Sequence, residues 1–156
     1  MRGAPPGASR LPFMRTSELV HCVSSLCSAH PDHAFAYLSD PDRLGEWSLG
    51  CWEARSEDGT VRGSSLFDGA EAVVRVIPVA EQKIVDYEVG SDPERLVRRI
   101  SARVVPGDVV GEPGTSLVVL TAWRERSMDD DRWHRLVVAH EAEILLLRHG
   151  IERSAA

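Results

Sequence analysis

The chain offers little of what usually announces a chemistry. Its 156 residues contain three cysteines, Cys22, Cys27 and Cys51, an odd number without a C-x-x-C pair. That argues against a disulfide framework and for reduced thiols. There is no G-x-S-x-G, no phosphate-cradling glycine loop, no H-E-x-x-H and no metal-spaced Cys/His set, so no familiar nucleophile, nucleotide or zinc motif is present. No apolar run approaches the roughly 20 residues a membrane-spanning helix needs. Arg2, Arg10 and Arg15 precede no apolar core of a leader peptide, and a secretory signal is not expected. Positive charge is also scarce, with 18 Lys and Arg against 24 Asp and Glu, a net charge of -6 and a pI near 5.5. Nucleic acid and anionic membrane surfaces need a basic footprint and are not expected partners. These absences together suit a cytoplasmic protein that needs no metal or cofactor.

What is present suits one domain. A chain of this length buries roughly 70% of the surface its unfolded form exposes, enough for a core without staples. Residues 1–12 are rich in Ala, Gly and Pro and read as a tail. The expected division is a disordered segment over 1–17 and a domain over 18–152, with Met14 a second candidate start.

Residues 30–47, HPDHAFAYLSDPDRLGEW, predict two short helices. Pro31 suits a first helical position, and Phe35, Tyr37 and Leu38 give the segment apolar weight. Asp40-Pro41 breaks that helix, because the residue before a proline is pushed out of the α region. A second helical turn then ends near Gly45 and Trp47. Strand-like runs cover 19–26, 51–56, 61–67, 70–78, 83–89, 96–105 and 116–123. Asp58-Gly59 and Asp68-Gly69 between them are hairpin signals, so the sheet is expected to be an antiparallel meander. In 96–105, Leu96, Ile100, Ala102 and Val104 share one face with Arg98, while Arg99, Ser101 and Arg103 share the other. A last helix is expected from Asp129-Asp130-Asp131, whose carboxylates suit an N-terminus, to Arg148-His149-Gly150, about 30 Å in all. Trp133, Leu136, Val137, His140, Ile144 and Leu147 form its apolar stripe, and Glu141 and Glu143 read as a solvated face. Val138, Ala142 and Leu145 lie on the opposite side. They call for a cover, either the N-terminal segment or a second copy in a homodimer.

This order, a strand, two helical turns, a run of strands and one long helix, together with D-P-x-x-L-x-x-W at Asp40 to Trp47, resembles the START-like or SRPBCC superfamily over about residues 18–152. The resemblance implies an α+β helix-grip fold: an antiparallel sheet of about seven strands wrapped around a long C-terminal helix, with two short helices after the first strand. It also implies a cavity between sheet and helix that binds a small hydrophobic molecule, a lipid or a polyketide-like compound. A polyketide cyclase or aromatase acting on a poly-β-ketone is the alternative, with His140, Arg98 and Tyr87 positioning the substrate. A protein-interaction module resembling chaperone activators is the third.

The cavity candidates are His140, Arg98, Tyr87, Trp133, Val137, Ile144 and Trp47. Each has a plainer reading. His140 either orients a ligand or is a core imidazole satisfied by a strand carbonyl. Arg98 and Arg75 either enter the cavity or snorkel to water, with solvent favoured for Arg75. Tyr87, Trp47 and Trp133 either line the cavity or build core. His30 and His33 read as surface or capping residues, and Cys22 and Cys27 as packing.

Overall fold

The computed structural model describes residues 18–156; the tail expected over 1–17 lies outside the described residues. In chain order the elements are strand β1 (Val20–Cys27), helix α1 (Pro31–Ser39), a 3-10 turn over Pro41–Glu46, strands β2 (Trp52–Glu57), β3 (Thr60–Ser64), β4 (Glu71–Val79), β5 (Ile84–Gly90), β6 (Val97–Pro106) and β7 (Ser116–Trp123), and helix α2 (Asp130–Ala155). The strands form one sheet in the order β1-β7-β6-β5-β4-β3-β2, antiparallel throughout. This is the expected seven-stranded sheet with a long C-terminal helix.

Local chemistry explains the boundaries. Pro31 opens α1, and the His30 ring accepts a hydrogen bond from the Asp32 amide at 3.2 Å. Asp40 ends α1 in an extended conformation, and its carboxylate accepts from the Asp42 amide at 2.9 Å, which starts the 3-10 turn. The second short helix is therefore this tighter turn. Asp58 and Gly59 both have positive φ, 49° and 78°, the conformation a two-residue hairpin between β2 and β3 requires. Along β7, Ser116, Val118, Leu120 and Ala122 alternate as buried residues. Their β1 partners Cys27, Ser25, Val23 and His21 share that inner face.

Two expectations need correction. The last helix runs through Gly150 to Ala155, 26 residues, or about 39 Å. Gly150 is a packing residue: a Cβ there would lie within 2.6 Å of Tyr37 Cζ, so the glycine lets α1 press directly on α2. Arg98 does not share the apolar face of β6. Between Tyr87–Ile100 and Glu88–Arg98 the register shifts, and the extra residue in β6 reverses the alternation. Arg98 stands opposite Glu88, is exposed, and reaches Asp86 at 3.4 Å.

The sheet grips α2 from both edges. Beside β1, the Ser28 amide donates to Glu152 Oε1 at 3.0 Å; before β2, the Leu49 amide donates to Glu143 Oε1 at 3.0 Å. The core between them includes Leu38, Trp47, Tyr87, Leu120 and Leu147, all buried.

Candidate functional site

One part of this core is polar. His140 and Glu143 lie one helical turn apart on α2 and are 1% and 4% exposed. Their nearest polar atoms, His140 Nε2 and Glu143 Oε2, are 3.8 Å apart, too far for a hydrogen bond. The His21 ring on β1 faces His140 with ring centres 5.8 Å apart. Five buried side-chain polar atoms lack a hydrogen-bond partner among the described residues, and four belong to this cluster: His21 Nδ1, both ring nitrogens of His140, and Glu143 Oε2. The fifth, Ser39 Oγ, is at the end of α1.

Burial decides the charge here. It pushes the Glu143 carboxyl up to about 7, against the pull of the Leu49 and Gly50 amides. It draws His140 down to about 4, with His21 as the second cause. Desolvation disfavours the charged form of each, so the pair is a neutral imidazole beside a carboxyl that ionises near neutrality, and not an ion pair. Tyr87, whose phenol is raised first by burial and then by Glu143, donates to the Leu38 carbonyl at 2.8 Å. Trp47 meets its ring edge to face, with centres 5.6 Å apart.

The structure places the seven cavity candidates as follows. His140, Tyr87, Trp47 and Ile144 are buried between sheet and helix, although the Tyr87 hydroxyl is already engaged. Trp133 and Val137 line an open cleft of about 650 Å³ at the N-terminal end of α2, with Glu18, Arg124, Asp130, Asp131 and His134 around them. Arg98 is on the outer face, and Arg75 likewise turns outward to Glu88 at 3.0 Å. The plainer reading of His140, a strand carbonyl holding the ring, has no counterpart in the structure.

Glu143 corrects the sequence reading, which put it on the solvated face with Glu141. Its spacing held the signal: Glu143 follows His140 by three residues and precedes Leu147 by four, and so falls on the stripe. His21 was missed altogether. Its in-phase neighbours Val23, Ser25 and Cys27 were the available clue.

The other candidate groups have structural roles. His30 caps α1, and His33 Nε2 lies 3.1 Å from the Ile151 carbonyl and 2.8 Å from Ser154 Oγ, tying α1 to the end of α2. Burial first of all pushes the Cys27 and Cys51 thiols up to about 11, away from nucleophilic use. Among the described residues no three His, Cys, Asp or Glu side chains converge as a metal site. No helix among them is long and apolar enough to cross a membrane.

No family model matches the chain, and no curated protein matches it. Solved structures do. The Zhui aromatase/cyclase from Streptomyces sp. R1128 is 12% identical with a TM-score of 0.62, covering 88% of this chain and 95% of that one. The Aha1 dimer from Colwellia psychrerythraea is 16% identical with a TM-score of 0.62, covering 86% and 96%. A START superfamily protein from Mycobacterium smegmatis is 14% identical with a TM-score of 0.58, covering 86% and 98%. These likenesses establish a START-like, helix-grip fold. Fold alone does not assign function.

Proposed function

We propose that the protein binds a small apolar molecule between the sheet and α2 and holds its polar end at His140 and Glu143. The observation that carries this reading is the concentration, among the described residues, of four unpartnered polar atoms on three neighbouring residues inside a largely apolar core. Leaving a buried donor or acceptor unmade costs about 1–3 kcal/mol, and binding sites are typically apolar walls with a few convergent polar groups. The cleft at the head of α2 supplies an approach. Trp133 and Val137 line it, and His140 lies two turns and one turn further along the same helix.

Native mass spectrometry of the purified protein, with titration of an uncharged hydrophobic fluorophore, tests the proposal. One saturable site per chain is expected, weakened in His140→Phe. Absence of both a retained ligand and saturable binding overturns it. The cyclase alternative is less well supported, because Arg98 lies outside and the Tyr87 hydroxyl is bonded to Leu38. The homodimer expected through Val138, Ala142 and Leu145 rests on the exposure of Val138 and Leu145 alone. Light scattering on the wild type and on Leu145→Glu tests it, and a monomer in both refutes it.

A further inference from the structure

Resting on that binding reading, the geometry points to the class of ligand: we infer that the polar end bound at His140 and Glu143 is a neutral hydroxyl group, an alcohol or phenol, and that carboxylates are excluded. Two features carry this, spacing and charge.

His140 Nε2 and Glu143 Oε2 are 3.8 Å apart, too far to bond each other, yet one oxygen about 2.8 Å from each bridges them comfortably. With the imidazole proton on Nε2, the bridging group must both donate and accept. A neutral imidazole offers one N–H and one bare nitrogen, and the ionised carboxylate oxygen only accepts. Acceptors therefore outnumber donors. A ketone or ether, which only accepts, satisfies the N–H and leaves the carboxylate oxygen bare. A hydroxyl donates to Glu143 and accepts from His140 with the same atom.

Charge excludes the acid. A buried anion needs a cation or several donors, and the basic side chains of nearby elements are directed elsewhere. Arg75 pairs with Glu88, Arg98 with Asp86 and Arg99 with Glu125, while Arg124 bonds Asp130 and the Met128 carbonyl. The groups that face the pair are His21 from β1 and Tyr87 from β5, with the Leu49 and Gly50 amides already given to Glu143. None of these groups is a lysine or arginine; the Tyr87 hydroxyl is given to the Leu38 carbonyl, and His21 Nε2 is turned toward Glu141 Oε1 at 3.9 Å.

The test displaces the uncharged fluorophore at about pH 8 with matched sets: decan-1-ol, decanoic acid, decylamine and decane, then 2-naphthol, 2-naphthoic acid, 2-naphthylamine and naphthalene. In at least one set the hydroxyl member is expected to displace the probe about tenfold better than its acid and its hydrocarbon, the worth of one well-made buried hydrogen bond. Glu143→Gln should narrow the gap between alcohol and acid. Glu112→Gln, which removes the same charge from an exposed loop, should not. His140→Phe should erase the preference for alcohol over hydrocarbon, with thermal unfolding confirming that each variant folds. If the fluorophore binds but the alcohol does no better than its hydrocarbon, acid or amine, the inference is overturned and the binding reading stands. If the fluorophore does not bind at all, both fall.

Discussion

Glu143 and His140 titrate in opposite senses, and each leaves a mark on stability. The Glu143 carboxyl sits at about 7 in the fold against an ordinary 4.5. Its contribution is fully present below about pH 4.5 and is lost as pH rises through 7. His140 sits at about 4 against an ordinary 6.5. Its contribution is present above about pH 6.5 and is lost as pH falls through 4. The two slopes oppose each other over about pH 4.5 to 6.5, so the wild type shows neither cleanly, and single variants are expected to separate them. Glu143→Gln should gain stability over the wild type as pH rises from about 5 to 8, reaching about 3 kcal/mol if the full shift is relieved. Urea unfolding across that range measures it; a constant difference refutes the burial of an ionising carboxyl. His140→Phe removes two orphaned nitrogens at similar volume. Unliganded, at about pH 7, it is expected to match or exceed the wild type, while losing probe affinity. A loss of stability without a loss of affinity means the ring is structural. Of these residues the sequence showed His140 on its stripe, but its lack of a partner became visible only when β1 and the loop before β2 were brought alongside.

At the scale of elements, the joint between α1 and α2 is fixed by Gly150. In an isolated helix Gly→Ala is favourable by about 1 kcal/mol. Here the new Cβ meets Tyr37, whose hydroxyl is held by Glu46 Oε2 at 2.8 Å, so the ring cannot simply swing aside. Gly150→Ala is expected to destabilise by about 1–3 kcal/mol, as overpacking does, and Tyr37→Phe in that background should recover part of the loss. Thermal unfolding of the two single variants and the double variant checks this; stabilisation by Gly150→Ala places α1 further from α2 than described. The sequence showed a glycine near a helix end and suggested a cap. Contact with an element more than 100 residues earlier is invisible to local pattern. The bulge in β6 teaches the same lesson, because one extra residue reverses which side of a strand faces water, and only pairing with β5 shows where it sits.

The whole molecule holds α2 at two points on opposite edges of the sheet, Ser28 to Glu152 and Leu49 to Glu143. Hydrogen exchange is expected to find both amides protected. In Glu143→Leu, Leu49 should exchange faster while Ser28 stays protected, and loss at both sites points to general unfolding instead. The elements and their order were legible in local pattern: the alternation and Asp-Gly turns that make antiparallel strands, the Asp40-Pro41 break, and the long amphipathic helix that gives the sheet something to wrap. These follow from interactions among residues a few positions apart. Which polar side chains are buried together, and left without partners among the described residues, was hidden from local pattern, because His21, Leu49 and the pair on α2 are distant in the chain and meet only when the sheet curls around the helix. Burial then sets their charge, since an imidazole or carboxyl is neutral or ionised according to how much water the fold leaves around it.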